Sequence, residues 1–237
     1  MDKVVTLDMN SILLEEFTED EVRTSIFQMH PTKAPDPDSM NPIFFQHFWH
    51  IVGHDVSSVV IDCLSSGKIL SSINLTHITL IPKRKNPESM SHFRPISLCN
   101  VIFKIVLKVL ANKLKKILGT IISDCQSAFV PERVIIDNIL ISFEILHYIK
   151  TKRWGTSTHM ALKLDMSKAY DRIEWDYLKA LMLSMGFHPW WVNPVMAGIS
   201  SVSYSVIVNG EASRFIKPSR GIKQGDTSSP YFIFTLF

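Results

Sequence analysis

The sequence has few cysteines, few glycines and no long apolar run. Cys63, Cys99 and Cys125 are odd in number and far apart, which fits neither a disulfide framework nor a zinc site and favours a reducing compartment. The nine glycines and twelve prolines are too few for collagen-like or low-complexity sequence. No apolar stretch approaches the ~18 residues of a membrane helix. The first residues show no secretion signal, so we expect an intracellular protein, nuclear or cytoplasmic.

What is present is ordinary globular material. The chain of 237 residues is 46% hydrophobic and 20% charged, enough for one large domain or two small ones. Its net charge of +3 hides an asymmetry: residues 1–60 hold three basic and ten acidic side chains, and residues 83–119 hold nine basic and one acidic. Such a basic block is typical of a contact with a phosphate backbone. It is also typical of a solvated helix face, since Lys104, Lys108 and Lys115 recur at helical spacing.

The spacing of apolar residues predicts an α+β order of elements. A capping box of Thr18 and Glu21 opens the first predicted helix, and Asn209-Gly210 predicts a tight hairpin. Gly119 is the predicted stop of the lysine-bearing helix. The predicted helices cover about 17–29, 42–65, 98–118, 136–150 and 171–185, and the predicted strands cover 76–81, 160–165, 202–208 and 213–217.

The first candidate site is the segment Leu164–Asp171. Asp165 stands at the end of a predicted strand, before a turn into a helix, which suits a hard divalent cation such as Mg²⁺. Asp171, with Glu174 three residues on, has an equally ordinary interpretation as the N-cap pair of a helix. Two aspartates at this spacing form a weak motif by themselves, so both interpretations of Asp171 stay open.

The second candidate site is the segment Arg220–Pro230. Its glycines, Gly221 among them, would let the backbone approach a ligand closely, and Gln224 would hydrogen-bond a nucleotide or template. The basic side chains of Arg220 and Lys223 would contact phosphates. The structural alternative is the exit of a hairpin followed by a helix that Asp226 caps.

The third candidate site is the segment Pro82–Leu98. It carries three consecutive basic residues, Lys83-Arg84-Lys85, and Arg94 directly before a proline. Arg94 would make charge-assisted hydrogen bonds to phosphate, and the Arg-Pro dipeptide is expected to be extended ahead of a helix. The alternative is an ordinary surface loop.

In this order the three segments, with further markers, resemble the reverse transcriptase domain of LINE-type, non-LTR retrotransposons, especially those of plants. The resemblance covers about residues 14–237, nearly the whole chain. Each marker is weak by itself, and their common order along the chain makes the resemblance specific. The markers are Phe17-Thr18, Glu21-Val22, Lys33-Ala34-Pro35, Pro37-Asp38, Ile81-Pro82-Lys83, Phe93–Leu98, Gln126–Pro131, Arg133, Asp137-Asn138-Ile139, Leu164-Asp165, Ala169-Tyr170-Asp171, Val208-Asn209-Gly210 and Arg220–Asp226.

The resemblance implies a right-hand polymerase fold of the α+β class, with fingers and a partial palm and without a thumb. It assigns residues 1–80 to an N-terminal helical extension of the fingers, 81–155 to the fingers and 156–237 to the partial palm. The implied reaction is RNA-directed DNA synthesis, in which a primer 3′-OH attacks the α-phosphate of a nucleotide by two-metal phosphoryl transfer. The implied partners are an RNA template, a DNA primer and a deoxynucleoside triphosphate, with Mg²⁺ as cofactor. No membrane and no protein partner are expected.

The same resemblance assigns roles to single residues. Asp165 matches the first metal-binding aspartate of the palm, so it is both the catalytic and the metal residue. Tyr170 matches the aromatic residue that helps to exclude a ribose 2′-OH. The nucleotide and template contacts are assigned to Gln224 and Gly225 in the supporting loop and to Arg94 and Arg133 in the fingers.

The sequence also departs from the family pattern. Asp36, Ser39 and Glu132 stand where the family usually has Gly, and Thr227-Ser228 where it usually has Pro-Leu. If those sites need a positive φ, each non-glycine residue costs about 1 kcal/mol or more. The family's Tyr/Phe-Ala-Asp-Asp hairpin, which carries the other catalytic aspartates, does not occur in the sequence.

We therefore expect a truncated copy that is inactive by itself. Because a partial palm would expose apolar surface, we also expect it to be poorly soluble. Two alternatives stay open at this point: a residual, non-catalytic nucleic-acid-binding protein that uses the basic block, and an inert retroelement fragment.

Overall fold

The computed structural model describes residues 3–32, 40–123, 125–127, 130, 132–152, 159–164 and 168–223. None of the helices in these ranges is long and apolar enough to cross a membrane. Short 3-10 turns lie at Met90–His92 and Tyr170–Arg172. The helices are α1 (Leu7–Leu14), α2 (Glu19–Phe27), α3 (Pro42–His47), α4 (Trp49–Ser66), α5 (Val101–Ile121), α6 (Ile135–Thr151), α7 (Trp175–Ser184) and α8 (Pro189–Ser200), and the strands are β1 (Leu75–Pro82), β2 (Phe93–Cys99), β3 (Ser203–Val208) and β4 (Glu211–Ala212).

The four strands form one mixed sheet in the order β2-β1-β3-β4. β1 pairs antiparallel with β2 and parallel with β3, and β3 turns back into β4. That turn is the predicted hairpin: Asn209 and Gly210 have φ of 51° and 85°, the left-handed pair that a two-residue turn requires. Ile216, in the predicted return strand, forms an isolated bridge to Tyr204.

The predicted strand over residues 160–165 is wrong for its described part. Residues 159–164 are irregular, and Met160, Leu162 and Leu164 are 84%, 72% and 82% exposed. A strand needs a hydrogen-bonded neighbour, and the described residues offer this segment none. An alternating pattern is therefore present without the sheet that would bury one of its faces.

α5 forms the centre of the core. It contacts α1, α2, α4 and α8, and fourteen of its 21 residues are buried. Asn100 caps its first turn by accepting a hydrogen bond from the Ile102 N–H at 2.8 Å. The predicted stop at Gly119 is wrong, because the helix continues to Ile121 and only Ile122 takes an extended conformation.

The remaining helices differ from the prediction mainly at their ends. The capping box of Thr18 and Glu21 at the start of α2 is confirmed, with both hydrogen bonds at 3.2 Å. The predicted helix over 42–65 is two helices, because Phe48 (φ −98°, ψ 20°) interrupts it. The predicted helix over 136–150 is confirmed as α6, and the Arg94–Pro95 segment belongs to strand β2 rather than to a loop. The patterns did not predict α1 or α8.

Candidate functional site

The structure describes three of the six predicted site residues. Asp165, Gln224 and Gly225 lie outside the described residues, so their predicted roles stay predictions. Tyr170 lies in the second 3-10 turn, Arg94 on strand β2, and Arg133 between α5 and α6. In the first candidate segment residues 168–171 are described, and in the second residues 220–223 are described. The contacts of these residues are given below.

Tyr170 and the segment before Gln224 lie against each other. The Ile222 N–H donates to the Tyr170 carbonyl at 2.9 Å, and the Gly221 N–H donates to the Ile173 carbonyl at 2.8 Å. The Trp175 indole N–H donates to the Gly221 carbonyl at 2.7 Å. One hydrogen bond therefore joins the two segments that sequence patterns had marked separately, about fifty residues apart, and two more join the second segment to Ile173 and Trp175, just after the first.

Gly221 is required at this junction because of a close approach between backbones. Its φ is +84°, and a Cβ built there would lie 3.2 Å from the Tyr170 carbonyl oxygen and 3.3 Å from the Asp171 Cα. The structure supplies one reason for this glycine, the close backbone of Tyr170 and Asp171, and the predicted close approach to a ligand stays a prediction.

Lys223 does not lie at the surface, where it would meet phosphates. Its side chain is buried, with 6% of the residue exposed. Its ammonium group donates to the Asn74 side-chain oxygen and lies 3.7 Å from the centroid of the Phe103 ring. Arg220 is exposed, and its guanidinium lies 3.3 Å from the Glu174 carboxylate. The predicted phosphate contact of Lys223 is therefore wrong.

Asp171 is not the cap of the helix that follows it. Asp171 is exposed within the 3-10 turn, and α7 begins four residues later at Trp175. The N-cap position is held by Glu174, whose side chain makes no capping hydrogen bond. The predicted N-cap pair is wrong, because a short 3-10 turn intervenes between the aspartate and the helix.

The basic block divides into two parts with opposite surroundings. Lys83, Arg84 and Lys85 are exposed in the turn between β1 and β2. On α5, Lys104 is buried at 7% exposure, so the predicted solvated face is wrong at that residue, while Lys108 and Lys115 are half-buried. Lys113, which was not part of that predicted face, is 1% exposed. All three basic residues of the turn are exposed, so the turn has the solvent access to meet a polyanion.

The exposed basic turn is held in shape by His92. The His92 Nδ1 accepts from the Glu88 and Ser89 N–H groups at 3.0 and 3.1 Å and lies 2.7 Å from the Arg84 guanidinium. The Lys83 ammonium donates to the Ser91 carbonyl at 2.9 Å. These contacts fix the backbone of the turn on which the basic side chains sit.

Lys113 is a buried lysine whose ammonium group makes structural hydrogen bonds. Its ammonium group donates to the Glu15 carbonyl and, at 3.3 Å, to the Glu16 carbonyl, and it lies 4.1 Å from the Phe17 ring centroid. Burial lowers the pKa of Lys113 below the usual lysine value, and the nearby Glu21 carboxylate partly opposes this. Lys113 therefore holds the linker between α1 and α2.

The two arginines that the resemblance assigns to the fingers, Arg94 and Arg133, lie in different surroundings. Arg94 is exposed on β2, opposite Ile81 of β1, on the same hairpin as the exposed basic turn. Arg133 is half-buried, and its guanidinium donates to the carbonyls of Ser123, Gln126 and Gly119 at 2.6, 2.8 and 3.1 Å. In this structure Arg133 thus satisfies carbonyl groups at and beyond the end of α5.

The described residues do not build a metal site by themselves. Within them, no group of three or more His, Cys, Asp or Glu side chains lies close enough to hold a metal ion. The predicted metal ligand Asp165 lies outside them, so its role in binding a metal stays a prediction.

The family of the chain follows from comparison with known proteins. Residues 81–237 match the protein family described as reverse transcriptase (RNA-dependent DNA polymerase). The chain belongs to the reverse transcriptase family. The match starts in β1 and includes all three candidate segments. Proteins of this family act on a nucleic-acid template and primer and generally use a divalent metal.

Two curated relatives place this reverse transcriptase among retrotransposon proteins. It is 31% identical to the "Transposon TX1 uncharacterized 149 kDa protein" of Xenopus laevis over 88% of this chain and 16% of that protein. It is 27% identical to the Pol polyprotein of the type-2 retrotransposable element R2DM of Drosophila melanogaster, over 90% of this chain and 19% of that protein. The chain therefore spans less than a fifth of the length of these relatives.

The predicted resemblance to the reverse transcriptase domain of non-LTR retrotransposons is confirmed, and so are the α+β class and the partial polymerase fold. The alternative, a residual, non-catalytic nucleic-acid-binding protein or an inert retroelement fragment, is not favoured. A chain of a partial Cas6-RT-Cas1–Cas2 complex is similar over 98% of this chain and 34% of its own, with 14% identity and a TM-score of 0.49.

Sequence patterns did not single out Asn74, which the structure places against Lys223 of the second candidate segment. It is fully buried ahead of β1 and contacts Lys223, which lies 149 positions away in sequence. A single asparagine before a strand gives no signal of such a role, because turns and strand ends commonly carry this residue.

Proposed function

We propose that this chain is part of an RNA-directed DNA polymerase that adds deoxynucleotides to a primer 3′-OH on an RNA template. The observation that carries the proposal is the junction of the two family motifs, in which the Tyr170 carbonyl accepts from the Ile222 N–H. A polymerase must hold its nucleotide-side residues in one fixed arrangement, because most of the catalysis of phosphoryl transfer comes from positioning.

The residue roles follow the family resemblance. Asp165 is the proposed catalytic ligand of Mg²⁺, which would neutralise developing charge on the phosphoryl oxygens when bound. Tyr170 is proposed to exclude a ribose 2′-OH, and Gln224 and Gly225 to support the nucleotide and template. Arg94 is proposed to approach phosphate, which its exposure permits.

Arg133 is also proposed as a phosphate contact, and its present hydrogen bonds define what such a contact requires. Its guanidinium donates to three backbone carbonyls. A phosphate contact would have to use the remaining donor capacity of the guanidinium, which carries five N–H groups, or exchange some of these bonds. Substitution of Arg133 therefore affects both the end of α5 and any phosphate contact.

The experiment measures binding of a labelled RNA–DNA primer–template by fluorescence anisotropy at several salt concentrations. We expect affinity that falls steeply with salt. Replacing Lys83, Arg84 and Lys85 together by glutamine is expected to lower the affinity and to reduce the salt slope by about one for each phosphate interaction that is removed. The control is Lys179→Gln on the exposed surface of α7, which leaves both unchanged. Absence of binding at low salt would contradict the proposed function.

A second measurement tests whether the chain catalyses primer extension. Because the sequence contains no adjacent pair of aspartates, we expect the 237-residue chain by itself to bind primer–template without extending it. Primer extension with Mg²⁺ by the isolated chain, abolished by Asp165→Ala, would overturn this expectation of inactivity and would assign catalysis to Asp165.

A further inference from the structure

Lys223 is a charged side chain held inside the protein immediately before the predicted template loop. It is 6% exposed, and its contacts include the fully buried Asn74 side chain and the fully buried Phe103 ring. Removing an ammonium group from water is costly unless polar or aromatic groups replace the water. The contacts with Asn74 and Phe103 therefore replace the water that the Lys223 ammonium group loses on burial.

Asn74 is itself fixed in orientation. Its side-chain N–H₂ donates to the Gly198 carbonyl at 3.0 Å and to the Ser201 hydroxyl at 2.7 Å, while its backbone carbonyl accepts from the Ser203 N–H at 3.3 Å. These partners lie at the end of α8 and the start of β3. With both donors used, the Asn74 amide can only present its oxygen to Lys223.

Three consecutive residues therefore attach one short segment to the body of the molecule. Gly221 and Ile222 are hydrogen-bonded to the Tyr170–Trp175 region, and Lys223 is bonded to Asn74 beside the sheet. Gln224 follows Lys223 directly in the sequence. The described attachment therefore reaches the residue immediately before the one that the family resemblance assigns to the nucleotide and template.

We propose that Lys223 is a positioning residue, which with Asn74 and Phe103 fixes the backbone of residues 221–223, directly before Gln224 and Gly225, relative to Tyr170. The proposal rests on the proposed function for the roles of these loop residues. In it, Lys223 acts on the template or nucleotide through its neighbours and makes no phosphate contact of its own. Its burial and its bond to an immobilised amide support this role.

The test compares Lys223→Met, which keeps an unbranched side chain without charge, with Lys223→Arg, which keeps both the charge and the donor. Val60→Ala on α4, at a fully buried core position, supplies a control that loses stability elsewhere. Phe103→Leu supplies a second variant that removes the ring contact and keeps an apolar side chain in the core, should Lys223→Met fail to fold. Hydrogen exchange of the Gly221 and Ile222 amides is measured by NMR, and primer–template affinity by anisotropy.

We expect Lys223→Met to speed exchange at both amides by about tenfold and to weaken primer–template binding by a similar factor. Lys223→Arg is expected to restore both quantities, and Phe103→Leu to show a smaller change in the same direction. Val60→Ala is expected to lower the unfolding midpoint with exchange at these two amides and affinity unchanged. That split separates a positioning role from a general loss of stability.

Unchanged affinity in Lys223→Met, or an equal loss of affinity in Val60→Ala, would overturn the proposal. Failure of the unsubstituted chain to bind primer–template would contradict the proposed function instead. In that case the exchange measurement still tests whether Lys223 fixes the backbone of Gly221 and Ile222. Faster amide exchange in Lys223→Met that is absent in Lys223→Arg supports this role, and unchanged exchange in Lys223→Met overturns it.

Discussion

Positive backbone φ angles occur at non-glycine residues where the chain turns sharply. In the part of the chain that the structure describes, these are Glu132, Lys168 and Asn209, with φ of 65°, 55° and 51°. Asparagine tolerates this region, and glutamate and lysine are strained in it. Glu132 stands where the family usually has glycine, so the expected cost of losing that glycine is present in the backbone.

Glu132→Gly is expected to stabilise the protein by about 0.5–1 kcal/mol. Relief of the left-handed strain exceeds the extra entropy that glycine gives the unfolded chain. Urea unfolding checks this, with Glu144→Gly in α6 as a control that costs about 1 kcal/mol because it lies within a helix. Loss of stability in Glu132→Gly would contradict the strain argument.

Gly221 and Gly119, the latter in α5, offer an opposite pair of substitutions. Gly221→Ala is expected to destabilise by about 1–2 kcal/mol or more, since φ is +84° and the methyl group would press on the Tyr170–Asp171 backbone. Gly119→Ala, with nothing within 4 Å of its Cβ, is expected to stabilise by about 0.5–1 kcal/mol. Thermal unfolding measures both, and equal signs for the two would contradict the interpretation.

At the scale of whole elements, α5 combines a helical apolar pattern with five lysines. The pattern correctly predicts the helix, and it incorrectly predicts that Lys104 faces solvent, while Lys108 and Lys115 are half-buried. Because α1, α2, α4 and α8 all pack on α5, little of its circumference is left for water. Buried lysines then carry structural contacts, as Lys113 does with the linker before α2.

Lys113→Met is expected to destabilise by about 1–3 kcal/mol, because the Glu15 and Glu16 carbonyls lose a charged donor. Since the pKa of Lys113 is lower in the folded than in the unfolded chain, the unfolded chain binds more protons between the two values. The free energy of unfolding of the wild type therefore increases with pH in the range just below about 10.4. The methionine variant lacks this increase.

Urea unfolding at a series of alkaline pH values measures this difference. The control is Lys116→Met, whose side chain is 49% exposed and lies 3.8 Å from Glu15. It is expected to change stability by less than about 0.5 kcal/mol, as for other exposed ion pairs. An identical pH dependence of wild type and Lys113→Met would contradict the burial argument.

At the scale of the whole molecule, apolar surface is left uncovered on α6. None of its residues is buried, although its large apolar side chains point in all directions around the helix. A helix that is apolar all round is normally buried in a protein core. Residues 159–164 add further exposed apolar side chains. This surface is the structural basis for the expected poor solubility.

The chain is therefore expected to self-associate, with an apparent mass above its 27.0 kDa in sedimentation. Replacing Ile139 and Leu146, which lie on one face of α6 and are 60% and 52% exposed, by glutamate is expected to shift the chain toward monomer. Leu7→Glu on α1, at 88% exposure, is the control and leaves association unchanged. A monodisperse wild-type monomer that unfolds cooperatively would contradict this prediction.

The sequence by itself determined the features that depend on neighbouring residues. The capping box at Thr18, the hairpin at Asn209-Gly210 and the helices α2, α6 and α7 follow from local backbone preferences and periodicity. The order of short motifs determined the reverse transcriptase family. The caps, turns, helices and single motifs can be recognised in the sequence because each lies within about twenty residues.

Only the tertiary structure decided which surfaces those elements share. It buried Lys113 and Lys223, set Gly221 against the Tyr170 backbone and made Asn74 the partner of Lys223 across 149 positions of sequence. It also left the alternating segment before Asp165 and the apolar faces of α6 exposed. The physical reason is that burial depends on which distant segments arrive at a face, and a local pattern specifies the face without specifying what covers it.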